Sequence, residues 1–184
     1  MLLMYKLLRR QMKIIKKSSG FTLLELIIVT AIIALMATAA MMVLDPFGQF
    51  NKARDSRIKS DLSQLQKALE TYYQDNGKYP SVASNCAYNI AGNNADGNDC
   101  IEWGKSWQPY MNVVPQDPTS LHKYVYYAPA DRQSYYIYAS LNRGTDPQAC
   151  NGGNACTSLS GFSISATACG GTCNFGVSSP NVSP

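Results

Sequence analysis

A single carboxylate near the start of a long apolar segment is the residue of this chain that most needs a chemical partner. Glu25 is the only charged residue between Phe21 and Leu44, a run of 24 residues. As a helix this run would be roughly 36 Å long, enough to cross the ~30 Å hydrocarbon core of a bilayer. An unpaired ionisable side chain near the centre of such a segment costs on the order of 2.5–3.5 kcal/mol. Glu25 is therefore expected to have a partner.

One candidate partner is local. Thr22 stands three residues before Glu25, the spacing of a capping box, in which each side chain bonds the other residue's backbone N–H. A capping box would satisfy Glu25 at the helix N-terminus without any contact to another molecule. The sequence leaves this alternative open.

The residues before the apolar run fix its expected orientation. The first twenty residues contain six basic residues and no acidic one. Positively charged flanks stay in the cytoplasm, so the N-terminus is expected to be cytoplasmic and everything after Leu44 to lie outside it. The basic residues are Lys6, Arg9, Arg10, Lys13, Lys16 and Lys17.

The segment Gly20-Phe21-Thr22-Leu23-Leu24-Glu25-Leu26 resembles the processing signal of type IV pilins and of the pseudopilins of type II secretion systems. The resemblance implies that a prepilin peptidase removes a basic leader, residues 1–20, by cutting between Gly20 and Phe21. It also implies N-methylation of Phe21. In assembly, Glu25 would pair with the N-terminal amine of a neighbouring subunit, and a poorly solvated carboxylate and ammonium gain far more from pairing than the same charges do in water.

A second cleavage pattern competes with this interpretation. Ala37-Thr38-Ala39 has the small-x-small pattern that signal peptidase recognises, and cleavage there would release a soluble secreted protein. A secretory signal, however, has an uncharged apolar core of about 7–15 residues, whereas this run is longer and contains Glu25. The sequence favours the membrane-anchored form.

The rest of the chain is predicted to be a second helical segment, 45–76, and a globular head, 77–184. Asp45-Pro46 should kink the helix that begins in the membrane segment 21–44. Gly77 is placed for a left-handed C-terminal cap, and Pro80 stops any continuation. Between these limits the apolar residues recur three or four apart, as in an amphipathic helix. They are Phe50, Ala53, Ile58, Leu62, Leu65, Leu69 and Tyr72 or Tyr73.

The head is expected to contain a small antiparallel sheet. Two β-like runs, Lys123–Ala128 and Ser134–Leu141, are separated by a hairpin-length connection, and Ser160–Ser165 is a candidate third strand. Ser81–Asp99, rich in Asn, Gly, Ala and Ser, is predicted to be a loop. The fold class is thus α+β, a long kinked N-terminal helix packed on a sheet with disulfide-bonded loops, as in pilins. The segment Trp107–Pro118 with the paired strands after it looks most like the major pseudopilin of type II secretion.

Six cysteines, all beyond the apolar run, favour disulfides in an oxidising compartment. Fifteen pairings are possible. Pairing of sequence neighbours is preferred, because the glycine-rich tail after Gly144 has little apolar content with which to fold by burial alone. The preferred pairs are Cys86 with Cys100, Cys150 with Cys156, and Cys169 with Cys173.

No metal or other cofactor is expected. Calcium would require six to eight oxygen ligands, and no acidic residue follows Asp146, although the resemblance implies acidic residues in a C-terminal loop. Asp96, Asn98, Asp99 and Glu102 could supply a few ligands from another loop, but a solvated turn is the simpler interpretation. Zinc lacks a C-x-x-C pair, and the single histidine, His122, is expected to be a surface loop residue.

Charge and composition speak against nucleic-acid binding and catalysis. The whole chain carries +4, but without residues 1–20 it keeps ten basic against twelve acidic residues, about −2. The cluster of Arg54, Arg57 and Lys59 is interleaved with Asp55 and Asp61 and is predicted to be a solvated helix face. One histidine is too few for a zinc-protease motif, and the glycines of 92–97 lack the lysine of a phosphate loop. The protein is not expected to be an enzyme.

The resemblance implies a filament subunit that is inserted in the inner membrane, processed, and polymerised with copies of itself through its N-terminal helix. The implied partners are the prepilin peptidase, the inner-membrane assembly platform, minor pilins or pseudopilins, and membrane lipid. The alternative is a single-pass membrane protein whose ectodomain binds a ligand or partner and does not polymerise. The sequence does not choose between a surface pilus and a periplasmic pseudopilus.

Overall fold

The computed structural model describes residues 20–82, 89–91 and 100–184. Helix α1 covers Leu23–Leu44 and helix α2 covers Pro46–Asn76. Between them Asp45 adopts a left-handed conformation, with φ of 38°, so the helix is interrupted where Asp45-Pro46 predicts. The chain divides into two compact units: the first ends at Pro46 and the second covers Phe47–Pro184.

Helix α1 is apolar on every side. Thr22 is its N-cap, and the Thr22 hydroxyl accepts a hydrogen bond of 3.2 Å from the backbone N–H of Glu25. It is the one described helix that is long and apolar enough to cross a membrane, and none of the window Leu23–Met41 is buried within the chain. The apolar surface of α1 therefore requires lipid or other polypeptides to cover it.

Helix α2 packs its C-terminal two thirds against the head. Four side chains are fully buried there, spaced three or four residues apart as predicted: Ile58, Leu62, Leu65 and Leu69. The predicted apolar face was wrong at its start, because Phe50 is 69% exposed and Ala53 is also exposed. From Ile58 onward the face belongs to the same core cluster as the apolar side chains of the head. The helix ends at the predicted cap, Gly77, which has φ of 67° and donates its N–H to the Tyr73 carbonyl.

The main sheet has three antiparallel strands: Val125–Tyr127 (β3), Tyr136–Ala139 (β4) and Phe175–Ser178 (β5). Their order in the sheet is β3-β4-β5. Val125 lies opposite Tyr138, and Ala139 lies opposite Phe175. A smaller antiparallel pair joins β1, Ile90–Ala91, to β2, Cys100–Ile101. The predicted hairpin is confirmed, although its regular pairing is shorter than the runs in the sequence.

Both faces of the main sheet are buried. Tyr124, Tyr126 and Ile137 pack against α2 in the first core cluster. The alternate residues, among them Val125 and Tyr138, belong to a second cluster on the other face. Strands buried on both faces are apolar at nearly every position, which explains why the two tyrosine-rich runs show no polar face. The tail covers this second face with Cys156, Leu159, Ile164, Cys169 and Cys173.

The third strand was predicted in the wrong place. Ser158–Gly161 forms one helical turn, α3, and Ser163 has φ of 56°, so Ser160–Ser165 is not extended. Leu159 and Ile164 are buried by this compact turn in the second cluster. The free edge of β4 is taken instead by Phe175–Ser178, whose Phe175 also reaches the first cluster.

Candidate functional site

The segment around the expected cleavage point is exposed. Gly20 and Phe21 lie before α1, and Phe21 is 78% exposed. A Cβ added at Gly20 would meet no atom within 4 Å, so the folded chain itself does not require glycine there. A requirement for Gly20 would have to come from another molecule that approaches this backbone. Residues 1–19, the rest of the expected leader, lie outside the described residues.

Glu25 forms half of a capping box. Its backbone N–H is bound by Thr22, but among the described residues no hydrogen bond or ion pair reaches its carboxylate. The local alternative thus satisfies one backbone donor and leaves the negative charge uncompensated. The carboxylate remains available to a cation supplied by another molecule.

Four charged side chains join α2 to the segment that follows β4. The Asp55 carboxylate, 1% exposed, accepts from the backbone N–H groups of Asn142 (2.8 Å) and Arg143 (3.2 Å) and from Arg143 Nε (3.2 Å). Lys59 Nζ lies 2.6 Å from Asp146 Oδ1, and Arg143 Nη2 lies 2.8 Å from Asp146 Oδ2. The hydrogen bond from Lys59 holds the pKa of the Asp146 carboxyl below its ordinary value, against the opposing effect of burial.

The predicted solvated face of α2 was therefore wrong at three residues. Asp55 and Lys59 belong to this ion-pair network, and Asp61 accepts a 3.0 Å hydrogen bond from the Tyr124 hydroxyl. Burial raises the pKa of the Asp61 carboxyl, and the Tyr124 bond opposes the rise. Arg57 fits the expectation, with a side chain 66% exposed and 4.0 Å from Asp61, and Arg54 is half-buried. The sequence could not show that the loop at 142–146 folds back onto α2, since those residues are 87 or more positions away.

The disulfides predicted in the tail are present. Cys150 is bonded to Cys156, and Cys169 to Cys173. Cys100 is also disulfide-bonded, and its predicted partner, Cys86, lies outside the described residues. The two tail bridges are tied together because the Cys156 N–H donates to the Cys173 carbonyl at 3.0 Å.

His122 is not a simple surface residue. It is half-buried and lines a cavity of about 460 Å³ together with Trp103, Asp117 and Thr119. Its Nδ1 atom is buried and has no hydrogen-bond partner. Sequence reasoning missed this cavity because the residues carry no motif and two separate segments, around 103 and 116–123, form it.

Metal ligands do not converge in the part of the chain that the structure describes: no group of three or more His, Cys, Asp or Glu side chains there could hold an ion. Of the weak calcium candidates, Glu102 is exposed. Asp96, Asn98 and Asp99 lie outside the described residues.

Comparison with family models gives two matches in separate parts of the chain. Residues 46–157 match the family described as type II secretion system protein G, and residues 15–41 match the prokaryotic N-terminal methylation motif. A type II secretion system core protein G from Vibrio cholerae serotype O1 is 29% identical over 128 residues, 69% of this chain and 82% of the relative. The proteins of that name from Klebsiella pneumoniae and Pseudomonas aeruginosa are 30% identical over 105 residues and 28% identical over 127. The Klebsiella match covers 56% of this chain and 70% of the relative, and the Pseudomonas match 67% and 83%. No solved structure matches significantly.

Proposed function

The chain belongs to the type II secretion system protein G family, and on this premise we propose that it is a structural subunit that polymerises into a secretion pseudopilus. The resemblance to pilins and pseudopilins found in the sequence is thus resolved toward the pseudopilus. The family is one of structural subunits, which agrees with the expectation that the protein is not an enzyme.

The observation that carries the proposal is the uncovered surface of α1. Its large apolar side chains are exposed, from Leu23 at 75% to Met41 at 70%. A helix that is apolar all round is stable only inside a membrane or within other protein. Membrane insertion covers this surface before assembly, and the α1 helices of neighbouring subunits cover it in the filament.

Maturation prepares this helix for assembly. A prepilin peptidase cuts after Gly20, and Phe21 becomes the N-methylated first residue. The methylation motif that matches residues 15–41 supports this step. The new N-terminal amine of one subunit then pairs with the Glu25 carboxylate of its neighbour. This amine supplies the cation that Glu25 lacks among the described residues of its own chain.

The proposed topology is a single membrane crossing with the N-terminus in the cytoplasm and the head outside. The membrane-anchored state agrees with the apolar helix near the N-terminus and with the methylation motif. We propose the prepilin peptidase, the inner-membrane assembly platform, minor pseudopilins and membrane lipid as partners. An ectodomain that does not polymerise remains as the alternative outcome of the experiments.

Replacing Gly20 by valine should block maturation and leave full-length precursor in the membrane. The reason is steric, because a peptidase must approach the backbone at the cut and only glycine lacks a Cβ. Gly161→Val is the matched control, since a Cβ at Gly161 also meets nothing within 4 Å. Mass spectrometry of the N-terminus should find methylated Phe21 in the wild type and the control. Normal processing of Gly20→Val would contradict the proposed cleavage.

Replacing Glu25 by alanine or glutamine should leave the protein inserted and processed but abolish most filaments. Both variants remove the negative charge that is expensive in the membrane unless paired. Thr22→Ala is the control for the capping alternative, because it removes the 3.2 Å cap bond, worth about 0.5–2 kcal/mol, and keeps the carboxylate. Electron microscopy should show filaments for Thr22→Ala and few for the Glu25 variants. Equal filament yields from all three would favour a purely local role.

A further inference from the structure

Unpartnered polar atoms gather at one place in the head. In residues 20–82, 89–91 and 100–184, four buried side-chain nitrogen or oxygen atoms have no hydrogen-bond partner: Trp103 Nε1, Asp117 Oδ2, Thr119 Oγ1 and His122 Nδ1. All four residues line the same cavity of about 460 Å³, a volume within the usual range of ligand pockets. Buried polar groups nearly always have hydrogen-bond partners in folded proteins. Four exceptions around one cavity therefore indicate that a bound molecule supplies the missing partners.

The surroundings of Asp117 show that the unpaired oxygen is not compensated elsewhere. Asp117 is 7% exposed, and its Oδ1 accepts the Thr119 backbone N–H at 2.8 Å, which leaves Oδ2 without a donor. The neighbouring Asp61 is already bound to the Tyr124 hydroxyl at 3.0 Å. Burial is the main cause of the raised pKa of Asp61, and the negative charge of Asp117 adds a smaller contribution. A group that donates a hydrogen bond to Asp117 Oδ2 would satisfy this oxygen and weaken the repulsion between the Asp117 and Asp61 carboxylates.

The four atoms together define the chemistry of the ligand. Asp117 Oδ2 accepts hydrogen bonds and Trp103 Nε1 only donates. Thr119 Oγ1 does both, and His122 Nδ1 donates or accepts according to the tautomer of the ring. A metal ion satisfies the carboxylate but not the indole N–H, which requires an acceptor. A peptide amide offers one donor and one acceptor and satisfies both. Leu121 stands between two lining residues in the sequence, Ser120 and His122, and is a 78% exposed apolar side chain.

We propose that this cavity binds a peptide segment of a neighbouring copy of this chain, with a backbone amide between Trp103 Nε1 and Asp117 Oδ2. The choice of a second copy rests on the proposed function, because a filament holds subunits next to one another at high effective concentration. A few hydrogen bonds suffice for occupancy under those conditions. The lining residues lie in loops, and binding requires their side chains to rotate so that the buried polar atoms reach the peptide.

The test uses the two tryptophans of the chain, Trp103 and Trp107, whose indole N–H groups give two signals in a ¹H–¹⁵N spectrum. The full chain in detergent micelles is titrated with acetyl-triglycine amide, a probe that offers backbone amides and no side chains. Trp103→Phe identifies the Trp103 signal. We expect this signal to move and saturate at millimolar probe, and maltotriose, a polyol probe, to leave it in place.

Variants test whether the change of the Trp103 signal arises from binding of the probe in the cavity. Asp117→Asn should weaken probe binding at least tenfold, and Asp75→Asn, the same change at an exposed position of α2, should leave it unchanged. If Asp117→Asn does not fold, Thr119→Val carries the comparison, with an expected loss of at least threefold. A Trp103 signal that does not respond to the amide probe, or that responds to maltotriose instead, overturns the proposal.

The source of the peptide is tested in assembled filaments without any probe. The Trp103 indole signal should there be shifted relative to the unassembled subunit, in the direction that the amide probe produces. An unshifted signal in filaments overturns a neighbouring copy as the occupant. If the chain forms no filaments, both the proposed polymerisation and the proposed neighbouring copy as occupant are wrong. The titration still decides whether the cavity binds amides.

Discussion

Asp55→Asn tests whether the buried ion-pair network fixes the head on α2. The asparagine keeps Oδ1, which accepts from the Asn142 backbone N–H at 2.8 Å. It replaces Oδ2 by an amide NH₂ that faces two donors of Arg143, the backbone N–H and Nε, both at 3.2 Å. Hydrogen bonds to a charged group contribute about 1.5–3 kcal/mol each. The Arg143 side chain is 31% exposed and recovers part of this from water, so we expect a net loss of about 3 kcal/mol.

The assay is thermal unfolding of the full chain in detergent with the disulfides intact, followed by the near-ultraviolet circular dichroism of the buried tyrosines. A loss of about 3 kcal/mol should lower Tm by roughly 6–12 °C for a unit of this size. Asp75→Asn makes the same charge change on the exposed side of α2 and should change the free energy of unfolding by less than about 0.5 kcal/mol. A Tm for Asp55→Asn equal to that of Asp75→Asn would refute the reasoning.

A double-mutant cycle then isolates the contact from other effects. Arg143→Met keeps the aliphatic part of the side chain and removes the guanidinium that binds Asp55 and Asp146. Residues in direct contact give coupling energies of about 0.5–3 kcal/mol, so the double variant should lose clearly less stability than the sum of the single variants. Strict additivity would mean that Asp55 acts through Asn142 and the Arg143 backbone N–H, and not through the Arg143 guanidinium.

Two further predictions concern acid and reductant. The pKa of Asp146 is lowered mainly by Lys59, so its stabilising contribution is present above the ordinary value of 3.8 and is lost as the pH falls through the lower folded pKa. Between pH 5 and 2 the urea midpoint of the wild type should therefore fall more steeply than that of Asp146→Asn. The raised pKa of Asp61 acts in the opposite direction in both proteins and cancels in the difference. Reduction of the tail bridges, worth about 2 kcal/mol each for such short loops, should speed amide hydrogen exchange in 150–173 and leave β5 protected by its pairing with β4. Equal loss of protection in β5 would contradict this independence.

Local patterns were enough to predict the helical half of the molecule. The interruption at Asp45-Pro46 and the cap at Gly77 follow from backbone chemistry within a few residues, since proline lacks an N–H and glycine tolerates a positive φ. The exposed apolar helix and the residues that resemble a processing signal are likewise contiguous in the chain. The two tail disulfides were predictable because their cysteines are close in sequence.

The head required the tertiary structure because its decisive contacts join distant residues. The third strand is Phe175–Ser178, and nothing in the local sequence distinguishes it from Ser160–Ser165. Phe175–Ser178 is the strand because it pairs with the open edge of β4, whereas Leu159 and Ile164 pack on the second apolar face of the sheet. A tail that looks too polar to fold alone is ordered because it covers that face. Asp55 resembles its exposed neighbours on α2 until the loop at Asn142 folds over it and removes its water. The cavity at Trp103 and Asp117 exists only where two segments meet. The sequence did not predict the third strand, the burial of Asp55 or this cavity, because burial is a property of the fold and not of the local sequence.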